Sequence, residues 1–390
     1  MTDTVLTQTR PEEAGLYPDQ IDRIRDRAEE WAATDTTIGL VLLIARKGKI
    51  GFFETFGQQS FNDAAKPARD SMMHVASISK LITATAILQL VERGELSLNR
   101  LLKEYIPELT GKYTDRILVH QLLTHTSGFA DLIFPPIFIQ PEPTDVPCPE
   151  GQYPHIHRQL QMMYKMDCYK KPGTENMYCT ENYMLLGEIV RRVTGQDIEA
   201  YSQENIFQPL GMNLSSFRNP DNYSSPLMQR DPAGFPFTTP LESMHDTPSG
   251  GGSLKSCAMD LAIFGQTYLN GGTYNGFRLL NKGTVAEMTR NQIPGIGGYN
   301  FFRKHIPEAS WGLGWMIQGH ERWPWSHGSL QPVGTIYHQG GTGCAMWVDQ
   351  QNDTVGIYLS IVDRDMSNPN PQWEFDKFQN MATAAVIHPD

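Results

Sequence analysis

The chain has 390 residues, 40% of them hydrophobic, which is enough to bury a substantial core and more than one typical domain holds. A formal net charge of −11 leaves no basic stripe to neutralise phosphates, which sets nucleic acid aside as a partner and favours a small neutral or cationic ligand. Five cysteines without a CxxC pair fit free thiols in a reducing compartment.

The opening residues, Met1 to Gln8, have neither the basic nor the apolar region of a secretory signal. The longest apolar stretch, Leu81 to Val91, is interrupted by threonines and a glutamine and is too short to cross a bilayer. A cytoplasmic protein without a membrane span is expected.

After Pro18, Ile21, Ile24, Ala28 and Trp31 recur at helical spacing with charges between them, which predicts an amphipathic first helix. Ile38 to Ala45 is a continuous apolar, β-branched run, and Lys49 to Phe56 follows it across Lys47-Gly48, a hairpin of buried strands. Ser77 to Glu95 reads as a largely buried, central helix with Gly94 near its end. Short helical patterns then dominate: Gln121-Leu-Leu, Tyr183 to Val193 closed by Gly195, and Ala200 to Phe207. A Pro-rich stretch within 129–153 cannot be a regular helix and is a candidate pocket rim, and His155 and His157 beside it read as solvent-facing loop residues. With no zinc-type spacing anywhere, no metal or other cofactor is expected.

Strand character returns in Gly334 to Tyr337, Ala345 to Asp349 and Thr354 to Val362, and the last helix is Gln372 to Ile387. Strands at both ends with helices between predict an α/β (α+β) fold: an antiparallel sheet formed from both termini, flanked by helices, with an inserted, mostly helical lobe. The expected division is 1–76 with 235–390 for the sheet lobe and 77–234 for the helical one.

Three short segments carry chemistry. Ser77-Ile-Ser-Lys80 puts a hydroxyl and an amine three residues apart on one helical face, where unpaired backbone amides favour developing negative charge. In Pro172 to Gly187 a Pro-Gly turn leads to Tyr178 just before an apolar helix; beside an ammonium this tyrosine would be held nearer ionisation and could relay a proton. Tyr337-His338-Gln-Gly340-Gly341 closes a strand, and the Gly341 amide could point at a carbonyl oxygen. Taken singly, each has a plainer reading: an exposed helix start with a salt-bridging lysine, a core tyrosine, and a Gly-rich hairpin turn.

Together, their order and spacing resemble the serine β-lactamase and D-alanyl-D-alanine peptidase superfamily, specifically its class C β-lactamase-like, family VIII carboxylesterase branch, with motifs SxxK, YxN and KTG or HxG. Leu122-Leu-Thr-His125-Thr-Ser-Gly128, Ser249 to Ser256, Asp260 to Gly265 and Leu269-Asn-Gly-Gly also resemble that branch, from about Arg10 to near the C-terminus. The resemblance implies catalytic Ser77, Lys80 and Tyr178, an oxyanion hole from the amides of Ser77 and Gly341, and substrate contacts at Thr180, His338 and Gly340. Two departures stand out. Thr180 occupies the position of the YxN asparagine, which in β-lactamases and peptidases helps bind the substrate's amide, and His338 replaces the KTG lysine, which would attract a substrate carboxylate. Both lean towards a small-molecule ester or acyl substrate, that is, a carboxylesterase with possible acyl transfer to alcohols. The alternatives are β-lactamase or D-amino-acid peptidase action on the same site and, from another class, a non-catalytic scaffold or filament protein. Trp311, Trp315, Trp323, Trp325 and Trp347 either line an acyl pocket or are core. No chemistry requires Ser79, Cys179 or His125.

Overall fold

The computed structural model describes residues 3–33, 37–60, 63–131, 144–218, 227–228, 247–299, 305–322, 328–362 and 370–388. Its centre is a seven-stranded sheet: β1 (Thr7–Gln8), β2 (Thr37–Arg46), β3 (Lys49–Gly57), β4 (Met316–Ile317), β5 (Ile336–Gly340), β6 (Cys344–Asp349) and β7 (Thr354–Val362), in the spatial order β1-β3-β2-β7-β6-β5-β4. N-terminal and C-terminal strands meet where β2 pairs with β7, from Arg46 opposite Thr354 onward. All pairings are antiparallel except the two-residue parallel edge of β1 on β3, so the sheet is mixed rather than wholly antiparallel as expected. The hairpin turn is at Lys47-Gly48, both residues at positive φ, as a two-residue turn that follows the strand twist requires.

Alternation along β2 divides the core. Leu40, Leu42 and Ile44 face a cluster with α1 (Pro18–Ala32) and α5 (Asn370–Ala384), while Val41, Leu43 and Ala45 face a larger one holding α2 (Ser79–Glu92), α3 (Glu181–Thr194) and α4 (Ala258–Leu269). Both faces are covered, which is why β2 reads as an unbroken apolar run. Helix α2 is buried along every residue from Ser79 to Leu90, and α3 lies against it.

Two further expectations, for Ser77 and for the histidine pair, are corrected in detail. Ser77 is not in the long helix but in a 3-10 turn, Ala76–Ile78, that leads into it. His155 and His157 lie on a helix, Pro154–Met163, and His157 is buried with its ring nitrogens bonded to Gln152 and to the Val146 carbonyl, so it is a packed residue, not a solvent-facing one. The Ser249 to Ser256 tract is a turn and a two-residue strand, Lys255–Ser256, preceding α4. Most of the Pro-rich stretch, Trp323, Trp325 and the expected lobe boundary near residue 235 fall outside the described residues.

Trp347 on β6 faces Gly356 on β7, and its ring lies where a side chain at 356 would go: a Cβ there would stand 2.0 Å from the indole. Gly356→Ala should therefore destabilise the protein by about 1–3 kcal/mol through overpacking, read as a lower denaturant midpoint with an unchanged slope.

Candidate active site

Ser77 enters the site on a strained piece of backbone. Ala76, just before it, has φ 46°, a left-handed conformation that costs an alanine about 1 kcal/mol. Ser79, which the sequence left without a role, ties this turn down by accepting from the Leu254 amide at 2.9 Å.

One turn on, the Lys80 side chain is fully buried, and its ammonium donates to Ser77 Oγ at 3.0 Å, to the Gly251 carbonyl at 2.6 Å and to Thr180 Oγ1 at 3.4 Å. All three of its protons are thus used. Burial pulls its pKa down from the usual 10.5 to about 8, against the opposing pull of Asp131 above all. Gly251 can approach this closely because a Cβ there would stand 2.7 Å from the Thr180 side chain and 2.8 Å from its carbonyl.

The tyrosine segment is zipped onto the loop that follows Val119–Leu123. Met177 N–H donates to the His125 carbonyl at 2.8 Å, Cys179 N–H to His125 Nδ1 at 3.1 Å, Asp131 N–H to the Tyr178 carbonyl at 3.0 Å, and Thr180 N–H to Asp131 Oδ1 at 2.6 Å. Tyr178 is hydrogen-bonded to Ser77, and burial pushes its phenol well above the usual 10. The expectation of a tyrosine held nearer ionisation is overturned. The Lys80 ammonium lies over the ring face, 4.9 Å from its centroid, so it offers little compensation for a dehydrated phenolate.

Aromatic groups enclose this centre. His125 stacks on Tyr178 with centroids 4.5 Å apart, and Trp311 meets His125 at 4.8 Å and His338 at 6.3 Å, edge to face. Trp311 is thus at the site, whereas Trp315 packs on Phe264 and Tyr268 and Trp347 on Phe375 and Phe378, both as core. His338 Nδ1–H donates to the Gln339 carbonyl at 2.9 Å, and burial together with the Lys80 charge takes its pKa down to about 3. His125 is also pushed well below its usual value by burial and by Lys80. Both imidazoles are uncharged at neutral pH, so His338 supplies no fixed cation.

Strand β5 packs against the Ala76–Ile78 turn. Gly340 is required there by backbone approach: a Cβ would stand 2.3 Å from the Val75 carbonyl. Gly341, the next residue, is exposed in the turn to β6. Ser77, Lys80, Tyr178, Thr180 and His338 are therefore assembled around one centre, with Gly340 and Gly341 against the Ser77 turn. Sequence reasoning missed Asp131 and Gly251 and gave His125 no role; only the Gly-triplet and the Leu122–Gly128 segment held a signal.

Among the described residues, one grouping has metal-ligand side chains: Asp131, Cys179 and Glu181, with donor atoms within 4.8 Å of one another. Hydrogen bonding accounts for it without an ion. The Cys179 thiol donates to Glu181 at 3.1 Å, and both groups are pushed well above their usual values, by burial first and by the neighbouring acids next, so each is held protonated. None of the five cysteines is in a disulfide, and no described helix is long and apolar enough to cross a membrane.

Residues 24–377 match the family described as Beta-lactamase, and the chain belongs to that family. It is 27% identical over 397 residues to a protein of Escherichia coli (strain K12) named "Putative D-alanyl-D-alanine carboxypeptidase", covering 91% of this chain and 85% of that one. Among solved structures it resembles "EstCE1, a hydrolase with promiscuous acyltransferase activity" (TM-score 0.71, 20% identity, 95% of this chain and 99% of the other). It also resembles a family VIII carboxylesterase (TM-score 0.71, 17% identity, 94% and 99%). At these identities the structural likeness is one of fold: sheet, flanking helices and inserted helices are those of β-lactamase-like proteins.

Replacing Ala76 by glycine should relieve the left-handed strain and, after the greater freedom glycine has in the unfolded chain, stabilise the protein by up to about 1 kcal/mol. Thermal unfolding of Ala76→Gly against wild type measures it.

Proposed function

We propose that this protein is a serine hydrolase for small esters, a carboxylesterase that forms an acyl enzyme at Ser77 and delivers the acyl group to water or to an alcohol in its place. The observation that carries this reading is a buried lysine amine 3.0 Å from Ser77 Oγ that titrates at about 8. Above that pH the neutral amine can take the Ser77 proton as Oγ bonds to the ester carbonyl carbon. The carbonyl electron pair moves onto oxygen, where the amides of Ser77 and Gly341 would receive it. Collapse breaks the bond to the alcohol oxygen, which leaves with a proton from the Lys80/Tyr178 pair. Water then attacks the acyl carbon, gives a proton to the pair, and the acid departs as Ser77 regains its hydrogen. The two groups act as one proton reservoir, and because Tyr178 rests as a phenol, Lys80 is the member that accepts first.

The substrate-facing residues favour esters. An uncharged His338 offers no pull on a substrate carboxylate, and Thr180 replaces an amide side chain with a hydroxyl. The hydrolase with acyltransferase activity and the family VIII carboxylesterase are in keeping with this. A D-amino-acid carboxypeptidase acting through the same serine is the second reading, favoured by the name of the Escherichia coli relative.

Intact-protein mass after brief exposure to a short-chain nitrophenyl ester, a cephalosporin and a fluorophosphonate separates these readings, with Ser77→Ala in parallel. The expected outcome is ester turnover and a phosphonate adduct in wild type, neither in Ser77→Ala, and little cephalosporin consumed. Equal labelling of both proteins would refute the catalytic reading, and fast cephalosporin or D-alanyl peptide turnover the ester one. Tyr178→Phe should lower acylation about 10²–10⁴-fold. The acylation rate should rise about tenfold per pH unit below pH 8 and level off above it, as Lys80 loses its proton at about 8.

A further inference from the structure

Thr180 stands between two groups with opposite hydrogen-bonding character. Its hydroxyl donates to Asp131 Oδ2 at 3.0 Å, while the Lys80 ammonium donates to the hydroxyl oxygen, Thr180 Oγ1, at 3.4 Å. A carboxylate can only accept and an ammonium can only donate, so the single hydroxyl proton is committed to Asp131. Asp131 grips the motif at three points, through its own N–H to the Tyr178 carbonyl (3.0 Å), through Oδ1 to the Thr180 N–H (2.6 Å) and through Oδ2 to the hydroxyl. Behind it, Glu181 and Cys179 are held protonated by burial, so the acceptor charge beside Thr180 is that of Asp131.

We propose that Asp131 is a positioning residue that sets both the base and the specificity of this site: it turns the Thr180 hydroxyl into an acceptor aimed at Lys80, leaving position 180 no proton to donate to a substrate amide carbonyl. This rests on the ester-hydrolase reading above. An ester needs no donor there, whereas an acylamino side chain such as a cephalosporin carries would leave its carbonyl unpaired against the Thr180 oxygen. Asp131 also holds Lys80 in its protonated form to higher pH, the opposite effect to burial. The other titratable groups facing Lys80 are Cys179 and Glu181, which would act in the same direction as Asp131 only if ionised and are held protonated by burial; Tyr178 and Tyr183, whose ring faces it lies over; and the neutral His125 and His338.

The test is the pH dependence of fluorophosphonate labelling at Ser77, read by intact mass, together with the ratio of cephalosporin to nitrophenyl-ester kcat/KM. In Asp131→Asn the acid limb of labelling should move to lower pH by roughly one unit as the carboxylate's charge is lost, and Asp131→Glu should return it towards wild type. In Thr180→Asn, which keeps Asp131 and reads specificity even if the Asp131 variants fail to fold, the cephalosporin-to-ester ratio should rise on the order of tenfold, about one net hydrogen bond. An unmoved acid limb in folded Asp131→Asn, or an unchanged ratio in Thr180→Asn, overturns the role given to Asp131. Absence of Ser77 labelling in wild type would instead remove the ester-hydrolase reading, so the two failures are distinct.

Discussion

A lysine ammonium buried without any exposure is the constraint around which the rest of this structure is arranged. Taking such a charge out of water costs several kcal/mol unless each of its protons finds an acceptor. Here the acceptors come from one neighbour and two distant parts of the chain: Ser77 one helical turn away, Thr180 on the tyrosine segment and the Gly251 carbonyl on the glycine tract. Each must be brought within hydrogen-bond reach at once. That explains why α2 is buried along its length and why α3 packs on it. It also explains the glycine beside Thr180, where a side chain could not fit. Desolvation that remains uncompensated is expressed as a lysine whose pKa falls to about 8, the property that the proposed mechanism would draw on.

Among the described residues packed around Lys80, the titratable groups leave it the one cation. His125 and His338 are neutral because an imidazolium would be both buried and repelled by Lys80. Tyr178 stays a phenol because its oxygen is dehydrated and the ammonium lies over its ring. On the other side, Glu181 and Cys179 keep their protons. The site thus pairs a buried cation with the Asp131 charge across one threonine hydroxyl, beside the stacked rings of His125 and Tyr178 and the edge-on ring of Trp311.

Local rules made much of this visible. Pro18 starts α1, Gly195 in the left-handed conformation ends α3, and the hairpin turns at Lys47-Gly48. The three-residue spacing of Ser77 and Lys80 was enough to foresee their contact, because a turn of helix fixes it with little help from elsewhere. His157 shows where such reasoning stops: its ring is satisfied by Gln152 and the Val146 carbonyl, contacts that a glance at neighbouring prolines does not reveal. The ionisation of Tyr178 was misread for a related reason. Proximity to an ammonium is legible in a motif, but which part of the ring it meets, and how dry the oxygen is, are not.

What the sequence by itself determined was therefore the set of elements, the sheet built from both ends and the contact of Ser77 with Lys80, all governed by periodicity, turn chemistry and spacing within one helical turn. Tertiary structure alone decided that Asp131 reaches Thr180, that Gly251 caps Lys80, that His125 backs Tyr178, and which groups carry charge. Those outcomes depend on burial and on contacts between residues 49, 171 and 53 positions apart respectively, and no local pattern encodes either.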